Sequence, residues 1–206
     1  MGTLDYKTEN SRRISLNGSI FFNGGIKNSM YHKLFLVPFA EYIPLSSKFP
    51  VLNKLNFGQG NFSHGSEHTL FSLDSALFSN LICYDLSNPH IVKDFVNKGA
   101  RFLTVQANIA WLQNSSGVRQ FFEMAKLRAI ENRTGIAISA NTGISGIINP
   151  FGEVVHKIPY NRQEVIKGKV FLNNEVTFYS RYGNIFSKIC FLFSIICFAL
   201  IKIKRL

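Results

Sequence analysis

Tyr31-His32-Lys33-Leu34-Phe35-Leu36-Val37-Pro38-Phe39-Ala40-Glu41-Tyr42-Ile43-Pro44 is a largely apolar run with a lysine and, eight residues on, a glutamate set into it. Charged side chains in such surroundings lose their hydration and are costly unless paired. The run therefore predicts that Lys33 and Glu41 meet in a pocket. A cysteine brought to the same pocket would complete a nucleophilic site, because a thiolate is a strong nucleophile and its pKa falls beside a cation. The one cysteine outside the C-terminal tail is Cys83, in Asn80-Leu81-Ile82-Cys83-Tyr84-Asp85. This short apolar run reads as a strand with the cysteine near its C-terminal end. On spacing alone Cys83 fits a buried structural thiol better than a nucleophile, since free cysteines are among the most buried residues.

Around these two segments the pattern alternates strands and helices. Residues 1–19 are polar, and Ser19–Phe22 is a short strand running into the turn signal Asn23-Gly24-Gly25. Met30–Phe39 is a second strand ended by Pro38. Residues 46–68 read as a long irregular loop of the kind that covers a site; His64 and His68 lie within it, without a third partner for a metal. Leu77–Tyr84 and Ala100–Ala107 read as strands, with a helix from about His90 to Asn97 between them, Pro89 in its first turn and Gly99 past its end. Val118–Arg133 is the clearest helix, with Val118, Phe121, Phe122, Ala125, Ala129 and Leu127 at helical spacing. Ile136–Ser139, Ser145–Ile148, Glu153–Ile158 and Val165–Phe171 complete the strands. The order predicts a layered α/β or α+β domain around a central sheet.

Hydrophobic residues make up 46% of the chain and charged ones 17%, which fits a globular body joined to an apolar segment. The net charge of +11 favours anionic partners such as lipid headgroups. No nucleic-acid motif or clustered basic helix accompanies it, so nucleic acid is not the expected partner. The N-terminus lacks the basic and apolar regions of a signal peptide. At the other end Ile189–Ile201 is apolar apart from Ser194, extends back to Ile185 if Lys188 snorkels, and is followed by Lys202, Lys204 and Arg205. This predicts a C-terminal transmembrane helix over residues 185–203, at the short limit for crossing a bilayer, with its basic flank cytoplasmic; an interfacial or core helix is the alternative.

The motifs resemble those of the apolipoprotein N-acyltransferase family, within the nitrilase superfamily. Residues 31–44 are similar to its lysine motif Y-x-K-x-x-L-V-P-F-G-E-[FY]-x-P, and Ile82-Cys83-Tyr84-Asp85 to its I-C-Y-E nucleophile motif. Asn108-Ile109-Ala110-Trp111, Arg128-Ala129-Ile130-Glu131, Ser139-Ala140-Asn141-Thr142-Gly143 and Thr177-Phe178-Tyr179-Ser180-Arg181-Tyr182-Gly183 match further segments in the family's order.

The resemblance reverses the reading of Cys83. It implies an N-terminally truncated αββα nitrilase-like sandwich over residues 1–180 plus the terminal helix. It implies Cys83 as nucleophile, Lys33 as catalytic lysine and Glu41 as a second acidic residue at the site. Tyr84, Asp85 and Trp111 would line or flank the substrate position. The implied reaction takes an acyl chain from a phospholipid, holds it as a thioester, and transfers it to the α-amino group of a lipid-modified cysteine on an apolipoprotein acceptor. The setting is the bacterial inner membrane with the domain in the periplasm, and no cofactor or metal is implied. Asp85 stands where the family has Glu. The family's general-base glutamate lies several tens of residues before the lysine motif, and neither Asp5 nor Glu9 matches it. The chain thus reads as a C-terminal fragment, inactive alone, whose missing N-terminal half is a candidate partner. Amide hydrolysis and a non-catalytic, membrane-anchored remnant are the other readings.

Overall fold

A computed structural model describes residues 1–9, 12–24, 26–46, 48–55, 61–113 and 115–203. Among them the chain begins with three strands, β1 (Gly2–Glu9), β2 (Arg12–Asn23) and β3 (Ile26–His32). After the lysine segment come β4 (Phe71–Leu73), β5 (Ala76–Ile82), helix α1 (Pro89–Asn97), β6 (Phe102–Ala107), α2 (Ser116–Asn132) and β7 (Gly135–Ala140). The chain continues through β8 (Ser145–Ile148), β9 (Val154–Ile158), the short α3 (Phe178–Tyr182) and α4 (Ile185–Ile203).

Two sheets result. One has six strands in the order β4-β5-β6-β7-β8-β9, and the other is the antiparallel β1-β2-β3. The centre of the larger sheet is parallel, with Phe78 opposite Phe102 and Val105 opposite Ile138. Parallel neighbours need long crossovers, and α1 and α2 supply them. Their ends follow from local chemistry. Asn88 caps α1 by accepting from the His90 amide at 3.0 Å, Pro89 takes the first position, and Gly99 follows at φ +107°. Ser115 caps α2, whose last turn closes on Arg133 in the left-handed region. One face of α2 buries Val118, Phe121, Phe122, Ala125 and Ala129. Leu127 falls outside that stripe and is 52% exposed, so it does not belong to the core face.

Several expectations need correction. The polar opening residues form β1 and most of β2; alternation turns Ser19 and Phe21 of β2 towards the large sheet, where Ser19 accepts from Asn80 and Phe21 packs on Phe78, and the inward Ser and Asn masked that pattern. The strand expected over Met30–Phe39 stops at His32, because the backbone must turn back through Phe39 (φ 63°) to bring Glu41 to Lys33. Residues 165–171 form no strand; they run extended along the body, with Gly135 N–H donating to the Phe171 carbonyl at 3.2 Å. The expected loop contains a helical turn at Pro50–Leu55, and its far end is strapped down: Phe62, Ser63 and Gly65 donate to the carbonyls of Glu41, Ser15 and Lys33 at 2.8 Å. Residues 47 and 56–60 of that loop lie outside the described residues.

The C-terminal segment is helical as expected, but among the described residues no helix is long and apolar enough to cross a membrane. At 1.5 Å per residue the uninterrupted run Ile189–Ile201 is roughly 20 Å long, against a hydrocarbon core of about 30 Å. Its side chains are nevertheless open, with Phe191 70% and Phe193 66% exposed.

The shared core between the large sheet and α1 and α2 carries the stability. Leu103, fully buried at the centre of β6, is its simplest probe: Leu103→Ala should cost about 3 kcal/mol in urea unfolding through lost transfer energy and the cavity left behind.

Candidate active site

Cys83 is the first residue after β5, in the left-handed backbone region at φ 47°, and it opens a short helical turn, Cys83–Ser87. A side chain in this region costs about 1–2 kcal/mol and persists only where surrounding structure holds it. Asp85 does the holding. Its fully buried carboxylate accepts from the Ile82 amide at 3.0 Å, from the Phe35 amide at 2.8 Å and from the Tyr31 hydroxyl at 2.9 Å. One carboxylate thus pins the Cys83 turn, the end of β3 and the lysine segment together. Three donors converge on this side chain. Burial raises its pKa to about 6, against the pull of those donors and of the Lys33 charge.

The lysine segment folds as the sequence implies. Lys33 is 1% exposed, and its ammonium donates to both Glu41 oxygens, at 2.8 and 2.6 Å. Glu41 also accepts from the Val37 amide at 2.8 Å and from the Asn17 side chain at 3.3 Å. A buried ammonium is viable here because a bidentate carboxylate neutralises it and the carboxylate's remaining capacity is used.

Burial pushes the Cys83 thiol above its usual range; the positive charge of Lys33 pulls it back, and Glu41 pushes it up again. The Lys33 charge therefore reaches the sulfur, but already paired. Such a thiol rests protonated. Its sulfur lies 4.0 Å from the Asn108 carbonyl oxygen, in the loop after β6. That loop is held by the one after β7: Asn141 donates to the Asn108 side-chain oxygen at 2.8 Å, and its amide to the Ala107 carbonyl at 3.2 Å. Gly143 allows the approach, since a Cβ there would lie 2.3 Å from Ile109.

Of the residues read from sequence, Lys33, Glu41, Cys83 and Asp85 come together. Tyr84 joins them indirectly, its ring stacked on Phe35 at 5.1 Å and nearly coplanar. Trp111 sits on the turn after β6 and is 63% exposed, so core packing is not its role. Asn17 and Tyr31 were not anticipated. Asn17 carries no local signal, and Tyr31 reads as one more aromatic in an apolar run. Asp5, considered and set aside above, is engaged elsewhere, 2.8 Å from His32. His64 and His68 do not converge: one contacts the Leu34 carbonyl, the other packs on Phe95.

A carbon-nitrogen hydrolase profile matches residues 1–175. Among curated proteins the chain is similar to the apolipoprotein N-acyltransferase of Geobacter metallireducens, 35% identical over 158 residues, covering 77% of this chain and 30% of that protein. The same holds for the apolipoprotein N-acyltransferase of Wigglesworthia glossinidia brevipalpis, 34% identical over 198 residues, covering 93% and 38%. The chain thus spans about a third of the length of these relatives. Among solved structures it resembles Nit3 of Saccharomyces cerevisiae, a nitrilase-superfamily member, at TM-score 0.57 and 18% identity, covering 79% of this chain and 56% of that one. It also resembles an amidase from Nesterenkonia sp. at TM-score 0.56 and 18% identity, covering 81% and 57%. At these identities the structures establish the nitrilase-like α/β sandwich and nothing finer.

Two outcomes test this geometry. Glu41→Ala leaves the Lys33 ammonium buried and unpaired and should destabilise the chain by about 3–5 kcal/mol, whereas Lys33→Met with Glu41→Leu should cost far less. Asp85 titrates near 6 when folded and near 4 when unfolded, so its favourable contribution is full below pH 4 and is lost as pH rises through 6. The unfolding free energy of the chain minus that of Asp85→Asn should therefore fall by about 3 kcal/mol between pH 4 and pH 7 in denaturant titrations.

Proposed function

The chain belongs to the carbon-nitrogen hydrolase family, and from that premise we propose that it is the cysteine-bearing part of an apolipoprotein N-acyltransferase. The reading rests chiefly on one observation: a strained cysteine at the end of β5 lies within the field of a buried, carboxylate-paired lysine. In the proposed reaction Cys83 loses its proton to a base, and the thiolate attacks the ester carbonyl of a phospholipid. The negative charge on the tetrahedral oxygen is met by the Lys33 ammonium and a backbone N–H beside Cys83. Collapse breaks the ester C–O bond, releases the lysophospholipid as its alcohol on proton return, and leaves a thioester on Cys83. The α-amino group of an S-diacylglyceryl cysteine at the N-terminus of a lipoprotein then attacks the thioester. The amide forms, and the thiol is regenerated. Glu41 keeps Lys33 charged and placed through both steps.

Neither carboxylate that acts on Cys83 is free to take its proton. Glu41 is committed to Lys33, the Val37 amide and Asn17, and Asp85 is enclosed by its own donors. We assign the base to the part of the relatives' length that this chain does not span. The exposed apolar side chains of α4 and the net charge of +11 favour a site at a phospholipid bilayer, in the inner membrane with the body in the periplasm. They also favour lipid acyl transfer over hydrolysis of a soluble amide.

The test is intact-mass analysis after incubation with phosphatidylethanolamine vesicles, with and without the complementing half. The combined sample should gain one acyl chain on Cys83, faster as pH rises because the thiol is held protonated. Cys83→Ala should abolish the adduct, and Lys33→Ala should slow its formation about 100-fold or more. A combined, folded sample without adduct would leave the non-catalytic remnant as the answer.

A further inference from the structure

The ion pair between Lys33 and Glu41 closes the turn that separates them. The two side chains make the pair, but where it stands relative to Cys83 is set by the backbone that carries them. The Lys33 amide donates to the Asn17 carbonyl of β2 at 2.8 Å, which ties the start of the segment to the small sheet. The other anchors come from residues 62–65. Gly65 N–H donates to the Lys33 carbonyl and Phe62 N–H to the Glu41 carbonyl, both at 2.8 Å. Between them, Nδ1 of His64 lies 2.9 Å from the Leu34 carbonyl oxygen, so this nitrogen carries the proton and donates. The His64 ring also meets Tyr42 edge-on, with centroids 4.8 Å apart.

The same residues are themselves tied back to β2. Ser63 N–H donates to the Ser15 carbonyl at 2.8 Å, and Phe62 forms a bridge with Ser15. One short stretch therefore grips both members of the ion pair by the main chain and is fixed to the sheet from which the lysine comes. Gly65 is its point of closest approach. A Cβ there would stand 2.3 Å from the His32 carbonyl oxygen and 2.8 Å from the carbonyl carbon, so a side chain fits only if backbone moves. Gly65 is not among the glycines with positive φ; it is needed for the approach and not for its conformation. Since His32 immediately precedes Lys33, a retreat of residue 65 is a retreat from the lysine.

We propose that residues 62–65 are a positioning element for the reaction, in which Gly65, Phe62 and His64 act through the main chain of the lysine segment to hold the Lys33 ammonium at its working distance from the Cys83 sulfur. The proposal rests on the reading that the Lys33 charge serves Cys83, and it adds what keeps that charge in place. Three charged groups bear on the thiol: Lys33 favours the thiolate, Glu41 and Asp85 oppose it, and the lysine outweighs the glutamate. Asp85 has its own tethers in Tyr31 and the Ile82 amide. Loosening residues 62–65 thus lets the ion pair drift, weakens the net help the thiolate receives and makes the thiol harder to ionise.

The test needs no acyl donor. In a parent chain carrying Cys190→Ala and Cys197→Ala, the rate of iodoacetamide alkylation at Cys83 is followed against pH by peptide mass. Replacing the ion pair outright, Lys33→Met with Glu41→Leu, should raise the midpoint of that profile by about half a pH unit or more. Gly65→Ala should raise it in the parent and add nothing to the pair replacement, because a residue that acts through Lys33 then has nothing left to act on. His64→Ala alters an exposed side chain and leaves the fold intact; it should show the same pattern at smaller size, and it decides the matter if Gly65→Ala does not fold. Ser66→Ala, exposed and one residue on, should match the parent. The proposal is overturned if neither Gly65→Ala nor His64→Ala moves the parent's midpoint, or if either moves it equally in both backgrounds, and the acyl-transfer reading survives that result. A pair replacement that leaves the midpoint unmoved sinks both. The expected pattern without an acyl adduct on Cys83 sinks acyl transfer alone.

Discussion

The Asp85 carboxylate is the constraint on which the site depends. A lone carboxylate with no exposed surface is costly, and each of its three donors lowers that cost by coming from a different segment: the end of β3, the lysine run, and the residue before Cys83. Those donors lie up to 54 positions away in sequence. Remove the carboxylate and two backbone N–H groups and a phenol lose their acceptor together. The left-handed conformation of Cys83 then loses the anchor two residues on that makes it the favoured geometry.

The electrostatics follow from the same economy of burial. Two charged clusters lie close enough to act on one thiol, and both are internally neutralised or strongly hydrogen-bonded. Lys33 lowers the Cys83 pKa less than a bare ammonium would, because Glu41 answers it at the sulfur with the opposite sign. The pair is therefore better suited to stabilising a transient oxyanion than to producing a resting thiolate.

What the sequence disclosed and what it hid divide along physical lines. The parallel strands β5, β6 and β7 and the helices between them were legible because their signals are local: apolar runs bounded by Asn88-Pro89 and by the Gly135 that opens β7, and one clear helical stripe. The pairing of Lys33 with Glu41 was legible because charge in an apolar run requires it. β1 and β2 were not, because their buried positions are as often Ser as Leu and their support comes from a sheet distant in sequence, Ser19 meeting Asn80 across 61 positions. The roles of Asn17 and Tyr31 were hidden for the same reason: each is set by a partner distant in sequence. Residues 165–171 looked like a strand and are not, since a β-prone run becomes a strand only where an edge is there to receive it.

The placement of the site explains how a chain a third as long as its relatives can retain so much of it. Cys83, Asn108 and Asn141 all follow the C-terminal ends of the three parallel strands, so register alone brings them to one rim of the sheet. The lysine segment reaches that rim from the small sheet, whose attachment runs through β2 and β5. Cys83, Lys33 and their shared tether are thus fixed by contacts wholly within the described residues.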